Sequence, residues 1–388
     1  MSQPALLFCD PNDDTAQTPL EHLRGINWDF DDRSRSDPIE SLHPYPAKFI
    51  SLLPREILNC IPVKPGTAVL DPFCGSGTTL VESQRLGIPS VGIDLNPIAC
   101  LISRVKTSPK PMGARDAVSE VIRRASAMKD DRPPAIPNLD HWFLPAVQSA
   151  LTRLTASIRE FAPQPCQDIL RLALSSTIVR VSNQDSDTRY AAVEKSVTAD
   201  DVFHAFEKAA VRTVNILSQR SYPLCPTDII EADTLSIDAK QLGRPIGLVI
   251  TSPPYPNAYE YWLYHKYRMW WLGFDPLAVK EKEIGSRAHF FKKNHHTSGR
   301  FHLQMDGVFK TLSEAVIEGG HACIVVGRSR IHGELIDNAK SITEVADSRG
   351  FALFFSIERR ISSSRKSFNL AHAGITTETL LVFRRTNS

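Results

Sequence analysis

The sequence has no paired cysteines. Its seven, Cys9, Cys60, Cys74, Cys100, Cys166, Cys225 and Cys323, are odd in number and scattered, with no Cys-x-x-Cys among them. That excludes the usual zinc and redox frameworks, leaves no metal site to expect, and fits reduced thiols in a cytosol. A charge of one sign is lacking too: 45 Lys and Arg against 43 Asp and Glu leave a net +2, so any face for a polyanion has to be local. No apolar run reaches membrane-spanning length, and Asp10, Asp13 and Asp14 stand where a secretory signal would carry positive charge. The expectation is a cytoplasmic protein with no membrane partner.

What is present is a core-forming composition, 42% hydrophobic over 388 residues, enough for one large elaborated domain or two ordinary ones. Residues 1–41 are polar and acidic and read as an arm, mobile or packed on the outside. From Thr67 the texture changes to a short apolar run (Thr67 to Leu70), a glycine break (Gly75 to Gly77) and helical spacing from Thr78 to Leu86. Ser90 to Asp94 is a second short strand and Pro97 to Arg104 a second helix, which implies a right-handed parallel crossover and an α/β sheet. Five more runs, at 228–233, 247–251, 322–326, 351–355 and 378–383, bring the count to seven strands. Between Lys110 and Cys225 the pattern is helical instead (114–128, 146–161, 168–181, 199–219), an insertion over 110–225 into a domain formed by 42–109 and 226–388.

The stretch Asp71-Pro-Phe-Cys-Gly-Ser-Gly-Thr-Thr79 lies where a strand meets a helix N-terminus, the ligand crevice of an open parallel sheet. Its third glycine position is Leu80, and the Gly-Lys-Ser/Thr of a phosphate loop is missing, so phosphate is disfavoured. Asp71 can pair with an ammonium group, and Asp94, at the end of the next strand, can accept ribose hydroxyls. An ammonium, a ribose and no phosphate describe S-adenosylmethionine; a plain turn without a ligand is the alternative.

Thr251-Ser-Pro-Pro-Tyr-Pro256 ends the buried-looking run Leu248-Val-Ile250. It could be a polyproline ligand for a partner domain or a rigid connector. As a site, Ser252 and the Pro253 carbonyl offer two acceptors, Pro254 stiffens the turn, and the Tyr255 ring offers a flat face, which suits an exocyclic amino group on a planar base.

These two stretches, with His43-Pro-Tyr-Pro-Ala-Lys48 upstream, resemble the exocyclic-amino DNA methyltransferases, which make N4-methylcytosine or N6-methyladenine. The resemblance covers most of 41–388 apart from the insertion. It implies a class I methyltransferase, Rossmann-like seven-stranded sheet with an antiparallel closing strand, to which Phe351–Phe383 corresponds. It implies S-adenosylmethionine as cofactor, held by His43, Tyr45, Lys48, Asp71, Pro72, Phe73, Gly75, Ser76, Gly77, Thr78, Thr79, Asp94, Asn96 and Asp233. It implies catalysis by Ser252, Pro253, Pro254 and Tyr255 on a base flipped from double-stranded DNA, with a cognate restriction endonuclease as a possible partner.

In the family the chain resembles, the first residue of the tetrad is usually aspartate in adenine enzymes and often serine in cytosine-N4 enzymes, so the resemblance implies cytosine N4 over adenine N6 for Ser252. Cytosine-C5 chemistry needs a thiolate, and Pro165-Cys166-Gln167 superficially offers one, but it precedes a helix in the insertion, where Cys166 reads as a core residue. RNA or protein amino methylation and a catalytically silent DNA-binding subunit are the rival readings. Arg287, Lys292, Lys293, His295, His296 and Arg300, with Phe290 and Phe291 among them, form a basic and aromatic loop suited to DNA phosphates. Arg359, Arg360, Arg365 and Lys366 read as a second basic patch. The target-recognition region is expected in 110–225, with 274–305 as the other candidate.

Overall fold

Strand β1 (Ala68–Asp71), buried at all four positions, sits inside a seven-stranded sheet. The other strands are β2 (Ser90–Asp94), β3 (Thr227–Glu231), β4 (Ile246–Thr251), β5 (Val316–Gly327), β6 (Phe351–Arg360) and β7 (Thr377–Arg385). Their order is β6-β7-β5-β4-β1-β2-β3. The five from β5 to β3 run parallel, while β7 is antiparallel to both β5 and β6. The seven strands and the closing hairpin therefore stand where the sequence pattern put them. This computed structural model describes residues 18–30, 37–129, 132–187, 189–256, 259–291, 296–361 and 376–386.

Parallel central strands are covered on both faces and so read as continuous apolar runs. Successive residues of one strand point to opposite faces, which explains how β1 and β4 feed two cores at once. Val69, Leu248 and Ile250 pack with Leu53 and Ile57 of helix α1 (Leu52–Cys60) and with Leu23 and Trp28. Ala68, Leu70 and Val249 face the other way, onto Phe309 and Val345. The N-terminal residues 18–30 are thus part of the first core: Leu23 and Trp28 are buried, and Trp28 Nε1 donates to the Leu23 carbonyl at 3.0 Å. Truncating Leu23 to alanine is expected to cost about 3 kcal/mol.

Helices α2 (Thr78–Arg85) and α3 (Pro97–Thr107) follow β1 and β2. Asn96 caps α3, its Oδ1 accepting from Ile98 N at 2.9 Å, and Pro97 occupies the first turn where its missing N–H costs nothing. Between α3 and β3 the chain forms α4 (Ala114–Ala127), α5 (Pro145–Phe161), α6 (Gln164–Val181) and α7 (Ala199–Ser218). Their apolar faces share a core with Ile98, Leu101 and Ile102 of α3 and with Trp271 of α8 (Tyr261–Trp271). Arg268 of α8 is fully buried here, donating to the Ser175 carbonyl at 3.1 Å and to the Tyr264 carbonyl at 3.0 Å and pairing with Asp187. Cys166 is a buried residue in the first turn of α6, and burial pushes its thiol up, which disfavours the thiolate. Among the described residues no helix is long and apolar enough to cross a membrane.

Candidate active site

The carboxyl ends of β1, β2 and β4 and the start of β7 open on one cavity of about 280 Å³. Asp71, Asp94 and Ser252 line it from three different strand ends, as do Glu378 from β7 and Asp233 from the turn after β3.

The glycine turn is shaped by packing as much as by any ligand. Gly77 has φ +79°, and a Cβ there would lie 2.7 Å from Ser103 Oγ of α3. Gly75 has φ +49°, and its Cβ would meet Tyr45 Oη at 3.2 Å. Both positions need a left-handed backbone, which glycine adopts freely, and both lie under a neighbouring side chain. Ser103 Oγ then donates to the Gly75 carbonyl at 3.0 Å, fixing the turn from below.

Two carboxylates face each other across this turn. Asp71 Oδ1 accepts from Thr251 Oγ1 at 2.6 Å and from Phe73 N at 3.1 Å; Asp94 accepts from Gly75 N and Asn96 N, both at 2.8 Å. Burial pushes each up to about 6, against these hydrogen bonds, which pull the other way. Asn96 Nδ2 is buried without a partner in the same wall. Two buried acids, raised by desolvation, together with an orphaned amide donor make a site that a cation bearing hydroxyl groups completes. The residues present therefore fit S-adenosylmethionine.

Tyr45, Lys48, Phe73, Ser76, Thr78 and Asn96 join Asp71, Gly75 and Asp94 in the lining. His43, Pro72, Gly77 and Thr79 stand behind it. His43 is spent on structure, Nδ1 against the Pro44 carbonyl at 2.6 Å and Nε2 against Ser175 Oγ at 2.9 Å, and burial holds its pKa well below the usual range. Thr79 donates to the Ile250 carbonyl, and the Pro72 carbonyl accepts from Thr234. Lys48 Nζ donates to the carbonyls of Glu40 and His43, and burial brings its pKa down to about 8. Asp233 both lines the cavity and caps its own turn, accepting from Leu235 N at 3.0 Å.

Ser252, Pro253, Pro254 and Tyr255 form the opposite wall. Thr251, the last residue of β4, ties this wall to Asp71 through the hydrogen bond already given, so the two turns are joined one residue from Ser252. The proline turn is backed by Gly285 (φ +73°), where a Cβ would come within 2.6 Å of the Tyr255 carbonyl. Tyr259 and Tyr261 complete this side, and Tyr261 stacks on Tyr45 with ring centroids 5.7 Å apart.

Several residues in or directly behind the lining carry no local signal in the sequence. Thr251 hides inside an apolar strand. Glu283, whose carboxyl is pushed up to about 8 by burial and accepts from Trp262 N at 3.1 Å, looks like any helix-end acid. Arg359 and Glu378 meet only because β6 and β7 pair. Arg359 is therefore no part of a basic surface patch: it is buried, donating to the Trp28 carbonyl at 2.8 Å and to Glu378 at 2.5 Å.

Of the basic loop, Arg287 and Arg300 are exposed, and the His296 ring lies tilted against that of His289, with centroids 4.8 Å apart. Lys292, Lys293 and His295 lie outside the described residues, as do Arg365 and Lys366. Phe290 is buried, so it is not free to wedge between bases. Among the described residues no group of three or more His, Cys, Asp or Glu could hold a metal ion.

Residues 11–104 match the family model described as DNA methylase, N6/N4 type. The chain is 28% identical over 241 residues to the type II methyltransferase M.MvaI of Kocuria varians, covering 56% of this chain and 53% of that protein. It is 42% identical over 86 residues to the type II methyltransferase M.MjaII of Methanocaldococcus jannaschii, covering 21% of this chain and 16% of that one. The chain thus spans about half the length of M.MvaI. Among solved structures, the rRNA methyltransferase AviRa of Streptomyces viridochromogenes aligns with a TM-score of 0.36 and 14% identity over 91% of this chain and 94% of that one. With the glycine turn and the Ser-Pro-Pro-Tyr turn on one cavity, and with these sequence matches, the chain is similar to the exocyclic-amino DNA methyltransferases.

Proposed function

We propose that the protein transfers a methyl group from S-adenosylmethionine to the exocyclic amino group of a base flipped out of duplex DNA, cytosine N4 being the acceptor. The observation that carries this reading is the 2.6 Å hydrogen bond from Thr251 to Asp71, which sets the residue before Ser252 against the donor-side carboxylate. Donor and acceptor subsites then face each other across one cavity, which is what direct transfer between two bound groups requires.

Bound in the donor half, S-adenosylmethionine supplies an electrophilic methyl group on a sulfonium. Asp71 is placed for its ammonium group and Asp94 for its ribose hydroxyls, with Asn96 Nδ2 as a further donor. On the other wall, Ser252 Oγ and the Pro253 carbonyl accept the two amino hydrogens, which draws the nitrogen lone pair out of conjugation and aims it at the methyl group; as the N–C bond forms the S–C bond breaks, the sulfonium leaves as a neutral thioether, and one amino proton passes to water. Tyr255 lies beside the base, and the rigid prolines hold these groups without reorganisation. Flipping the base costs a few kcal/mol, offset by contacts in this cavity and by phosphate contacts to which exposed Arg287 and Arg300 contribute. A cytosine acceptor rests on Ser252 in place of aspartate, and pairing with a cognate restriction endonuclease is part of the same reading.

Labelled S-adenosylmethionine offered to a mixture of unmethylated DNA, RNA and protein tests this. The expected result is label in DNA alone; label confined to RNA or protein would refute it.

A further inference from the structure

Behind Ser252 stands a line of polar groups drawn from distant parts of the chain. Ser252 Oγ lies 3.3 Å from Tyr255 Oη, and that phenol donates to Glu378 Oε1 at 3.0 Å. The other carboxylate oxygen of Glu378 accepts from Arg359 at 2.5 Å. Arg359 and Glu378 are register partners on β6 and β7, with side chains only 4% and 18% exposed, and all four residues line the cavity.

The direction of this line is not free. A guanidinium only donates, a carboxylate only accepts, and a phenol has one hydrogen. The phenol hydrogen goes to Glu378, so the phenol oxygen is left to accept from Ser252. The single hydroxyl hydrogen of serine is thereby turned away from the base, and only lone pairs face the cavity. We infer that Glu378 is a positioning residue that fixes Ser252 as a hydrogen-bond acceptor and so selects a base with an amino group over one with a carbonyl oxygen at that place. An amino N–H finds an acceptor there, whereas a carbonyl oxygen meets lone pairs and loses the hydrogen bonds it had in water. Burial, and then the charge of Glu378, also raise the Tyr255 phenol well above its ordinary range, which keeps its hydrogen in place.

This inference rests on the proposed function, and Glu378→Gln separates the two. The amide oxygen has to face Arg359, which can accept nothing, so the amide NH2 faces Tyr255; the phenol then donates to Ser252, and Ser252 donates into the cavity. The line reverses with almost no change of shape. For transfer to amplified, unmethylated genomic DNA, kcat of Glu378→Gln is expected to fall about 100-fold. Its affinity for S-adenosylmethionine is expected to stay within about twofold of wild type. Glu378→Asp, which keeps an acceptor-only group, is expected to recover to within about tenfold.

A second readout needs no substrate. In fluorotyrosine-labelled protein the resonance of residue 255, assigned with Tyr255→Phe, is expected to move in Glu378→Gln and to return toward its wild-type position in Glu378→Asp. A Glu378→Gln kcat within about threefold of wild type, or an unmoved resonance, overturns the inference. If Glu378→Gln does not fold, Tyr255→Phe decides: it frees the Ser252 hydrogen and is expected to lower kcat about tenfold, and unchanged kcat overturns the inference. Wild-type protein that transfers no methyl group to DNA refutes the proposed function, and the fluorine resonance alone then judges the direction of the line.

Discussion

The two walls of the cavity are built by opposite means. The donor wall is largely local: Asp71, Gly75, Asp94 and Asn96 lie within 26 residues of sequence, Asp94 accepting from the backbone N–H groups of Gly75 and Asn96 and Asp71 from that of Phe73. The acceptor wall is assembled from afar, since Ser252 depends on Tyr255, which bonds Glu378, 123 residues on, which in turn pairs with Arg359. A wall held by its own backbone tolerates change elsewhere in the chain. One held by side chains from other strands is exposed to every change in the line, and damage there should reach turnover rather than cofactor affinity.

Substitutions can break that division, beginning with the largest expected effect. Ser252→Ala is expected to lower kcat on the order of 100- to 1000-fold while cofactor affinity, measured by calorimetry, is unchanged. Loss of cofactor binding in that variant would merge the two walls into one. Gly77→Ala is expected to destabilise the protein by about 2 to 3 kcal/mol in urea unfolding, because it combines a left-handed backbone with a contact on Ser103 that has little room to give. Gly75→Ala is expected to cost less, about 1 to 2 kcal/mol, since the atom it meets is the far end of Tyr45. Asp94→Asn is expected to weaken cofactor binding about tenfold and to leave kcat at saturating cofactor nearly unchanged.

The smallest effect is in pH. Asp71 and Asp94 stand at about 6 in the folded protein, above the ordinary carboxylate range. A raised acid contributes stability that is fully present below its unfolded value of about 4 and is lost as pH rises through about 6. The cofactor-free protein is therefore expected to lose some stability between about pH 4 and about pH 6 through these two groups, as a melting-temperature series would record. Affinity for a cationic ligand has the opposite sign and rises over the same interval as the carboxylates ionise. A cofactor affinity flat across that range would remove Asp71 and Asp94 from the binding site.

The same contrast explains what the sequence made legible. The donor wall could be read because each of its parts is announced within a few residues: an apolar strand, an acid at its end, a glycine break and a helix start. The core strands were equally plain, since a parallel strand buried on both faces has no polar interruptions. Glu378 and Arg359 could not be read, because strand pairing, not spacing, brings them to Ser252. Arg359 looked like one of four basic residues on a surface, as a buried arginine does when its partner is far along the chain. The histidine of His43-Pro-Tyr-Pro-Ala-Lys48 was visible, yet its bond to Ser175 in α6 places it behind the cavity rather than in it.

The most direct test of the central claim, that a serine-led turn presents an amino group of DNA to a methyl donor, is the identity of the modified nucleoside. DNA methylated by the wild-type protein with labelled S-adenosylmethionine would be digested to nucleosides and separated by mass spectrometry. The account expects the label in N4-methylcytosine. Label in N6-methyladenine would contradict the choice of base, and label in 5-methylcytosine would contradict the amino-group mechanism itself.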